Sequence, residues 1–550
     1  MLLATLLAVS VAGPSLLPQL SPRSASGNLL LVGGRVHTGT NVDWPGPVNS
    51  FGGRLRNDDA LDPAVDAVRI ELPSDAFVMP GLQDAHGHLL GLGSLLAEVD
   101  LVGTTSFDQV VQRVAERAAT QPAGSWVIGR GWDQNDWAET TMPHHRALSS
   151  VVPNHPVWLV RVDGHAGLAN ALALQRAGVT KASVVAGGGE ILRDGDGEPT
   201  GVLVDAAMAA IPLPAPTQEQ RRERLLAAQR ECLRHGLTCV HDAGVDAATL
   251  QAMVELHRDG QWWLRTYVML DPNERDLIAR GPWQTPDGRI TVRAVKAYAD
   301  GALGSRGAAL LEAYQDAPGK RGLVGMPKGS IQVLAQFCAE HEMQLCMHAI
   351  GDAANRAVLD AYAAVGKPGD RVARRLRFRI EHAQVLAEDD FARFAQLGVL
   401  PSMQPTHLTS DMPWAAQRLG PERTARAYAW TRFHRLGVIV PFGSDFPVES
   451  VDPRRGLFAA VTTRGVGGAP GPGFRPEQRL SREQAIRGFT LHAAHASFAE
   501  RDLGTLEVGK VADLTVFDRD LRSCSDDDLL EAKVLLTVIG GQVVYDGRDR

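Results

Sequence analysis

From about residue 237 the chain alternates between short apolar runs and longer stretches with helical spacing. LTCVHDAG, WLRTYVML, RITVRAVKAYADG, MQLCMHAIGD, RFRIEHAQV, GVLPSMQPTH and VIVPFGSD read as strands, and RERLLAAQRECLRHG and IQVLAQFCAEHE read as helices between them. With the earlier run that ends in DAHGH they make eight β/α units, the number that closes a parallel (β/α)8 TIM-type barrel. The pattern predicts barrel segments at 77–104 and 237–499. The roughly 140 residues between the first two barrel strands exceed any βα loop. SWVIGRGW, HPVWLVRVDGH and GEILRDGDGEPTGVLVD lie there, so 105–236 is expected to be an inserted α+β subdomain that caps the mouth. Outside the barrel, 29–37 with its Gly-Gly pair reads as a β-hairpin. Val68–Leu72, 510–518 and 533–547 read as further strands, so 29–76 and 500–550 should form one small β-sandwich from both termini.

Composition changes this picture little. The chain has 550 residues, 44% hydrophobic and 22% charged, which suits a globular α/β protein. A net charge of −7 without a basic block argues against nucleic acid as a partner. Five cysteines (232, 239, 338, 346 and 524) form no CxxC pair, and Cys239 and Cys346 lie inside apolar runs, so they are read as buried small hydrophobes. Residues 1–28 begin with MLLATLLAVSVAG, apolar but without a basic n-region and too short to span a bilayer. They are read as a signal peptide or disordered leader. That reading makes the protein periplasmic or secreted, and cytoplasmic otherwise, with no transmembrane anchor.

The candidate chemistry sits where strands end. His86 and His88 are two residues apart on a strand and face one side. His348 and His382 close two later runs, and barrel enzymes place their chemistry at this end of the strands. A lone histidine in an apolar run is more often a core residue; four at strand ends point to a metal site. Lys296, inside an apolar strand, has two readings: an amine that faces solvent or pairs with an acid, or a neutral amine that adds carbon dioxide and bridges two cations as a carbamate. Its place in strand order favours the bridge. Asp445, in GSDFP, could be a turn residue, or it could ligate a metal and take the proton of the attacking water.

These motifs resemble the amidohydrolase superfamily, the urease-like metal-dependent hydrolases, in the branch that contains N-substituted formamide deformylase. The resemblance runs through VMPGLQDAHGHL, GRGWDQNDW, VRVDGHAGLANALAL, KAYADGALGSRGAAL, MHAIGDAANRAVLDAY, RIEHAQV, GSDFPVESVDP and GTLEVGKVADLTVFD. It implies one metal on His86, His88 and Asp445, and a second on His348 and His382, joined by carbamylated Lys296. Gly87 departs from the pattern, which usually has a larger apolar residue there. The implied activity is hydrolysis of a non-peptide C–N bond, in an N-acyl or N-formyl amide, by a metal-activated hydroxide. Two Zn2+ per chain are expected, with manganese, cobalt or iron as alternatives. Asp445 would be the catalytic proton carrier. Hydrolysis of esters, lactones or cyclic amides at the same site stays open, as does a noncatalytic metal-binding scaffold, although no ligand position is lost.

Around the metals, His165, His407, Arg306 and Trp132 are candidates to touch a small-molecule substrate. Each has a plainer alternative: a turn histidine, packing, a helix cap and a buried tryptophan. Asp133 and Trp137 share the GWDQNDW segment with Trp132. His241 is read as supporting or structural. The acidic GEILRDGDGEPTG stretch lacks calcium-loop spacing. A homodimer stays open as the assembly.

Overall fold

In a computed structural model, the protein is described over residues 27–40, 44, 46–56, 67–162, 164–185, 189–367, 369–467 and 471–548. The leader segment expected within residues 1–28 lies almost wholly outside the described residues. The chain divides into two compact units, one of Met1–His88, Gln229–Leu250 and Val254–Arg550, the other of Leu89–Ala228 with Gln251–Met253.

The first unit holds the barrel. Its strands are β1 (Leu82–Gly87), β2 (Leu237–Val245), β3 (Arg265–Leu270), β4 (Ile290–Tyr298), β5 (Gln344–Ala349), β6 (Arg379–His382) and β7 (Leu400–Ser402). They pair in parallel in that order. Both faces of a parallel barrel sheet are covered, so its strands read as continuous apolar runs rather than alternating ones. Every residue of β3 is buried, as that rule requires. The eighth run supplies bridges instead of a regular strand, because Pro441 lacks an N–H and Asp445 takes a φ of +65°. It still closes the ring. Ala85 N–H donates to Phe442 O at 3.0 Å and Asp445 N–H to His86 O at 2.7 Å, while Met403 N–H donates to Pro441 O at 3.0 Å. All eight expected runs therefore serve the barrel. Cys346 packs inside it with Ala243, Tyr267, Met269 and Ala294. Cys239 and Cys346 are buried free thiols, as read from the sequence, and burial raises both.

Both ends of the chain meet beside the barrel. Phe77–Pro80 pairs antiparallel with Leu514–Phe517, which pairs in turn with Val534–Ile539. The expected hairpin at 29–37 is not formed. Leu29–Val32 joins one sheet, between Val48–Phe51 and Val68–Glu71, and Arg35–Val36 joins the other, alongside Phe77–Pro80. The Gly33–Gly34 pair carries the chain from sheet to sheet, both at positive φ (90° and 75°), and a Cβ on Gly33 would lie 2.6 Å from Leu72 O. Leu29, Leu31, Ile70, Leu514, Val516 and Leu536 fill the space between the layers.

The second unit is a six-stranded sheet with helices. Val99–Asp100, Val127–Trp132, Val157–Arg161, Ala166–Ala169, Pro199–Val204 and Glu190–Arg193 follow one another across it. The expected strand segments of the insert are all present. Its boundary moves, however: Val99–Asp100, expected with the barrel, pairs in parallel with Val127–Trp132 and belongs here. The helix Phe107–Ala118 starts at Ser106, whose side chain accepts from Gln109 N–H, and buries Val110, Val111 and Val114 against the sheet. In the acidic turn between the last two strands, Asp194 accepts the N–H groups of Asp196 and Glu198, so this loop is an Asx-type turn. Among the described residues no helix is long and apolar enough to cross a membrane.

Candidate metal centre

Strand alternation aims His86 and His88 at the barrel mouth, and the other rings arrive by less regular means. Glu381 and His382 are adjacent, so a regular strand would send them to opposite faces. His382 instead takes a φ of +74° and Ala383 a φ of +43°, which turns the imidazole into the mouth beside its neighbour's carboxylate. Asp445, at φ +65°, is turned in the same way from the eighth segment.

Each ring is locked through one nitrogen. His86 Nδ1 lies 2.6 Å from Glu381 Oε2, His88 Nδ1 lies 2.9 Å from Ala243 O, and His382 Nδ1 lies 2.7 Å from Gln404 Oε1. An acceptor on Nδ1 fixes the proton there and leaves Nε2 with a lone pair facing the mouth. His348 presents Nε2 to Asp300 Oδ1 at 3.4 Å, and its ring centre lies 4.6 Å from that of His382. Burial favours the neutral form of the His86, His348 and His382 rings. It pushes His86 down to about 4, helped by Lys296, and His348 to about 3.

Asp445 sits between the rings. Its Oδ1 is 3.0 Å from His88 Nε2 and 3.5 Å from His86 Nε2, and its Oδ2 is 3.7 Å from His407 Nε2. Burial alone would raise its pKa, yet His86, His88, His382 and His407 together hold it well below the usual carboxylate range. Two sets of ligand atoms converge, each within 4.8 Å: His86, His88 and Asp445, and His382, His407 and Asp445.

Lys296 is 1% exposed, with Nζ 3.1 Å from His86 Nε2 and 4.7 Å above the Tyr298 ring. It does not face solvent; among the described residues no carboxylate lies within ion-pair distance, although the charges of Glu381 and Asp445 act on it. Burial lowers its pKa.

Sequence reasoning missed the partners of the rings. Arg379 approaches Glu381 at 2.7 Å, and both are fully buried. Arg379 also donates to Ala85 O (2.6 Å) and Ser402 Oγ (2.8 Å) and lies 3.0 Å from His241 Nδ1. His241 is thus a supporting residue, as expected. The charged pair in the otherwise apolar RIEH strand was the available signal, since buried charges must find partners. Asp84 accepts from Ser444 Oγ at 2.6 Å and from His86 N–H at 3.0 Å, tying β1 to the eighth segment, and burial pushes it up to about 6. Gly87 has a local cause. A Cβ there would lie 2.5 Å from the Phe446 ring, so this chain trades a side chain at 87 for that aromatic wall.

The substrate candidates separate. His407, on the short helix Pro405–Asp411 after β7, stays with the cluster. Arg306 is taken by Asp316, at 3.1 and 2.8 Å. His165 and Trp132 belong to the other unit. His165 is largely exposed and 2.8 Å from Asp205 Oδ1. Trp132 is 1% exposed, donates to Leu159 O and packs in the apolar core of that unit. Trp137 is buried in that core too, and Asp133 caps a 3-10 turn.

Several imidazole Nε2 atoms gathered around a buried carboxylate suit a first-row divalent cation. The buried Nε2 atoms of His348 and His407 make no hydrogen bond, which fits a donor set meant for a metal. Fold and site together define a metal-dependent hydrolase. Residues 74–545 match the amidohydrolase family, and the chain belongs to it. Among relatives, LONG AFTER FAR-RED 3 of Arabidopsis thaliana is 33% identical, over 85% of this chain and 82% of that protein. The N-substituted formamide deformylase of Arthrobacter pascens is 27% identical, over 85% and 88%. The crystal structure of an uncharacterised metal-dependent hydrolase from Pyrococcus furiosus superposes with a TM-score of 0.76 at 27% identity, covering 90% of this chain and all of that one.

Proposed function

We propose that this hydrolase cleaves a non-peptide C–N bond, in an N-acyl or N-formyl amide, with two zinc ions. His86, His88 and Asp445 would hold one ion; His348, His382 and Lys296, as a bridging carbamate, would hold the other. The observation that carries the reading is Asp445: an ionised carboxylate with Oδ1 turned to His86 and His88 and Oδ2 to His407 beside His382. The formamide substrate of a relative with 88% of its length aligned supports the bond class.

When bound, the cations supply Lewis acidity and lower the pKa of water from about 15.7 toward about 7. The remaining work belongs to side chains. Asp445 accepts the proton of the attacking water and returns it to the departing nitrogen. Glu381 and Gln404 hold their imidazoles in the tautomer that points Nε2 inward. Lys296, whose amine burial makes easier to deprotonate, would in its neutral form attack carbon dioxide; the N–C bond forms and one proton leaves to solvent.

Metal analysis and a panel of N-formyl amides, N-acyl amides, aryl esters and lactones test the proposal. About two zinc ions per chain and turnover of amides are expected, with Asp445→Asn lowering kcat by about 10²- to 10⁴-fold. A fully metallated protein inert on all amides but active on esters or lactones would overturn the bond assignment.

A further inference from the structure

His407 has no place in the ligand set above, yet its surroundings are those of a ligand. The His88 and His86 Nε2 atoms stand 3.0 and 3.5 Å from Asp445 Oδ1, and His407 Nε2 stands 3.7 Å from Asp445 Oδ2. Donors sharing one tetrahedral cation at about 2.0–2.1 Å are separated by about 3.3 Å. The last distance is long for a hydrogen bond and close to that separation.

Ring spacing is compatible with a shared cation but does not by itself choose the pairs, since His86 and His382 also lie 5.0 Å apart. His86 and His88 have centroids 5.5 Å apart, and so do His382 and His407. Two imidazoles on one cation place their centroids about 5 Å apart. Asp445 thus has Oδ1 turned to His86 and His88 and Oδ2 turned to His407, and His382 converges with His407 and Asp445 within 4.8 Å.

A packing role does not account for His407. Its Nε2 is buried and makes no hydrogen bond, a costly state for a ring nitrogen. The local chain also ties it to His382: Gln404 accepts from His382 Nδ1, and His407 follows one helical turn later, with its N–H bonded to Gln404 O. His348, by contrast, joins neither convergent set and presents its Nε2 to Asp300.

We infer that His407 is a metal ligand: through Nε2 it binds the second divalent cation together with His382 and the Oδ2 atom of Asp445. This rests on the binuclear reading above and adds to it a donor from the short helix that follows the seventh strand.

The test uses the full chain, stripped of metal and reloaded with Zn2+ or Co2+. Binding of each equivalent is read by competition with a chromophoric chelator, and the cobalt protein by its visible absorption. In His407→Gln the second equivalent should weaken by at least about 100-fold, beyond the 10- to 100-fold typical for losing an outer partner. The first equivalent should hold, and the cobalt spectrum should change. His407→Asp, which restores an anionic donor, should recover part of the second equivalent and shows that the position tolerates change. If His407→Gln binds both equivalents like the wild type with an unchanged cobalt spectrum, the inference fails while the hydrolase reading stands; a raised KM in that variant would make His407 a substrate contact. A wild-type chain with no tight cation would overturn both.

Discussion

The barrel mouth and the inserted sheet both carry histidines and aromatic residues, but they use them in opposite ways. At the mouth, charged and polar groups are buried together and several are held by another side chain, His86 by Glu381, His382 by Gln404 and Glu381 by Arg379, while the Nε2 atoms of His348 and His407 make no hydrogen bond. In the insert, the core is mostly apolar and aromatic, with Trp132, Trp137 and Leu159 together, its buried polar residues such as Asn170 bond to backbone groups, and His165 stands largely in water. Burying polar groups is unfavourable unless every one is paired, so a protein does it where the arrangement has a use. Residue type alone does not mark a site; convergence of several buried ligand-type groups on one point does.

The comparison breaks most visibly if Arg379 is changed. Arg379→Met strands the Glu381 charge inside the barrel, and losing one partner of a buried pair costs about 3–5 kcal/mol. Urea unfolding of the metal-free protein should show that loss. Metal affinity should fall as well, by about 10- to 100-fold, because Glu381 no longer holds His86 in place. Unchanged stability and affinity would mean that the Arg379–Glu381–His86 chain is incidental.

Trp132→Ala is the counterpart in the insert. Removing a tryptophan from an apolar core costs about 3–5 kcal/mol, seen as earlier unfolding of the inserted unit. Zinc stoichiometry should not change. If it fell, the two regions would not be independent in the way their cores suggest.

Gly87→Ala asks how tightly the mouth is packed. The new Cβ would meet the Phe446 ring at 2.5 Å, one residue from Asp445. Overpacking of this kind costs about 1–3 kcal/mol. The thermal midpoint should drop, and kcat should drop with it as the 445–446 segment shifts.

What was legible in the chain follows the same division. The eight barrel runs could be read because a parallel barrel buries both faces of each strand. His86 and His88 could be read because strand alternation is local. Glu381 could not be assigned, since its role depends on β6 lying within reach of β1 across the barrel. His382 and Asp445 were found by position at strand ends, but the positive φ angles that turn them inward leave no mark in a histidine or an aspartate. The Gly33–Gly34 pair misled for a related reason: two glycines permit a hairpin or a change of sheet equally, and only the distant partners Phe77–Pro80 and Val68–Glu71 decide.

The smallest effect expected is at His165. Its bond to Asp205 joins two half-exposed or more exposed groups, where solvent screens the attraction and such pairs contribute little. His165→Ala should therefore change unfolding free energy by no more than about 0.5 kcal/mol. Its value lies in the kinetic readout. If the residue is only a surface pair, KM and kcat stay at wild-type values across the amide panel. If KM rises while kcat and zinc content hold, His165 contacts substrate in the working enzyme, and water-exposed polar groups of the insert share a task that the fixed pairs of the barrel mouth otherwise perform alone.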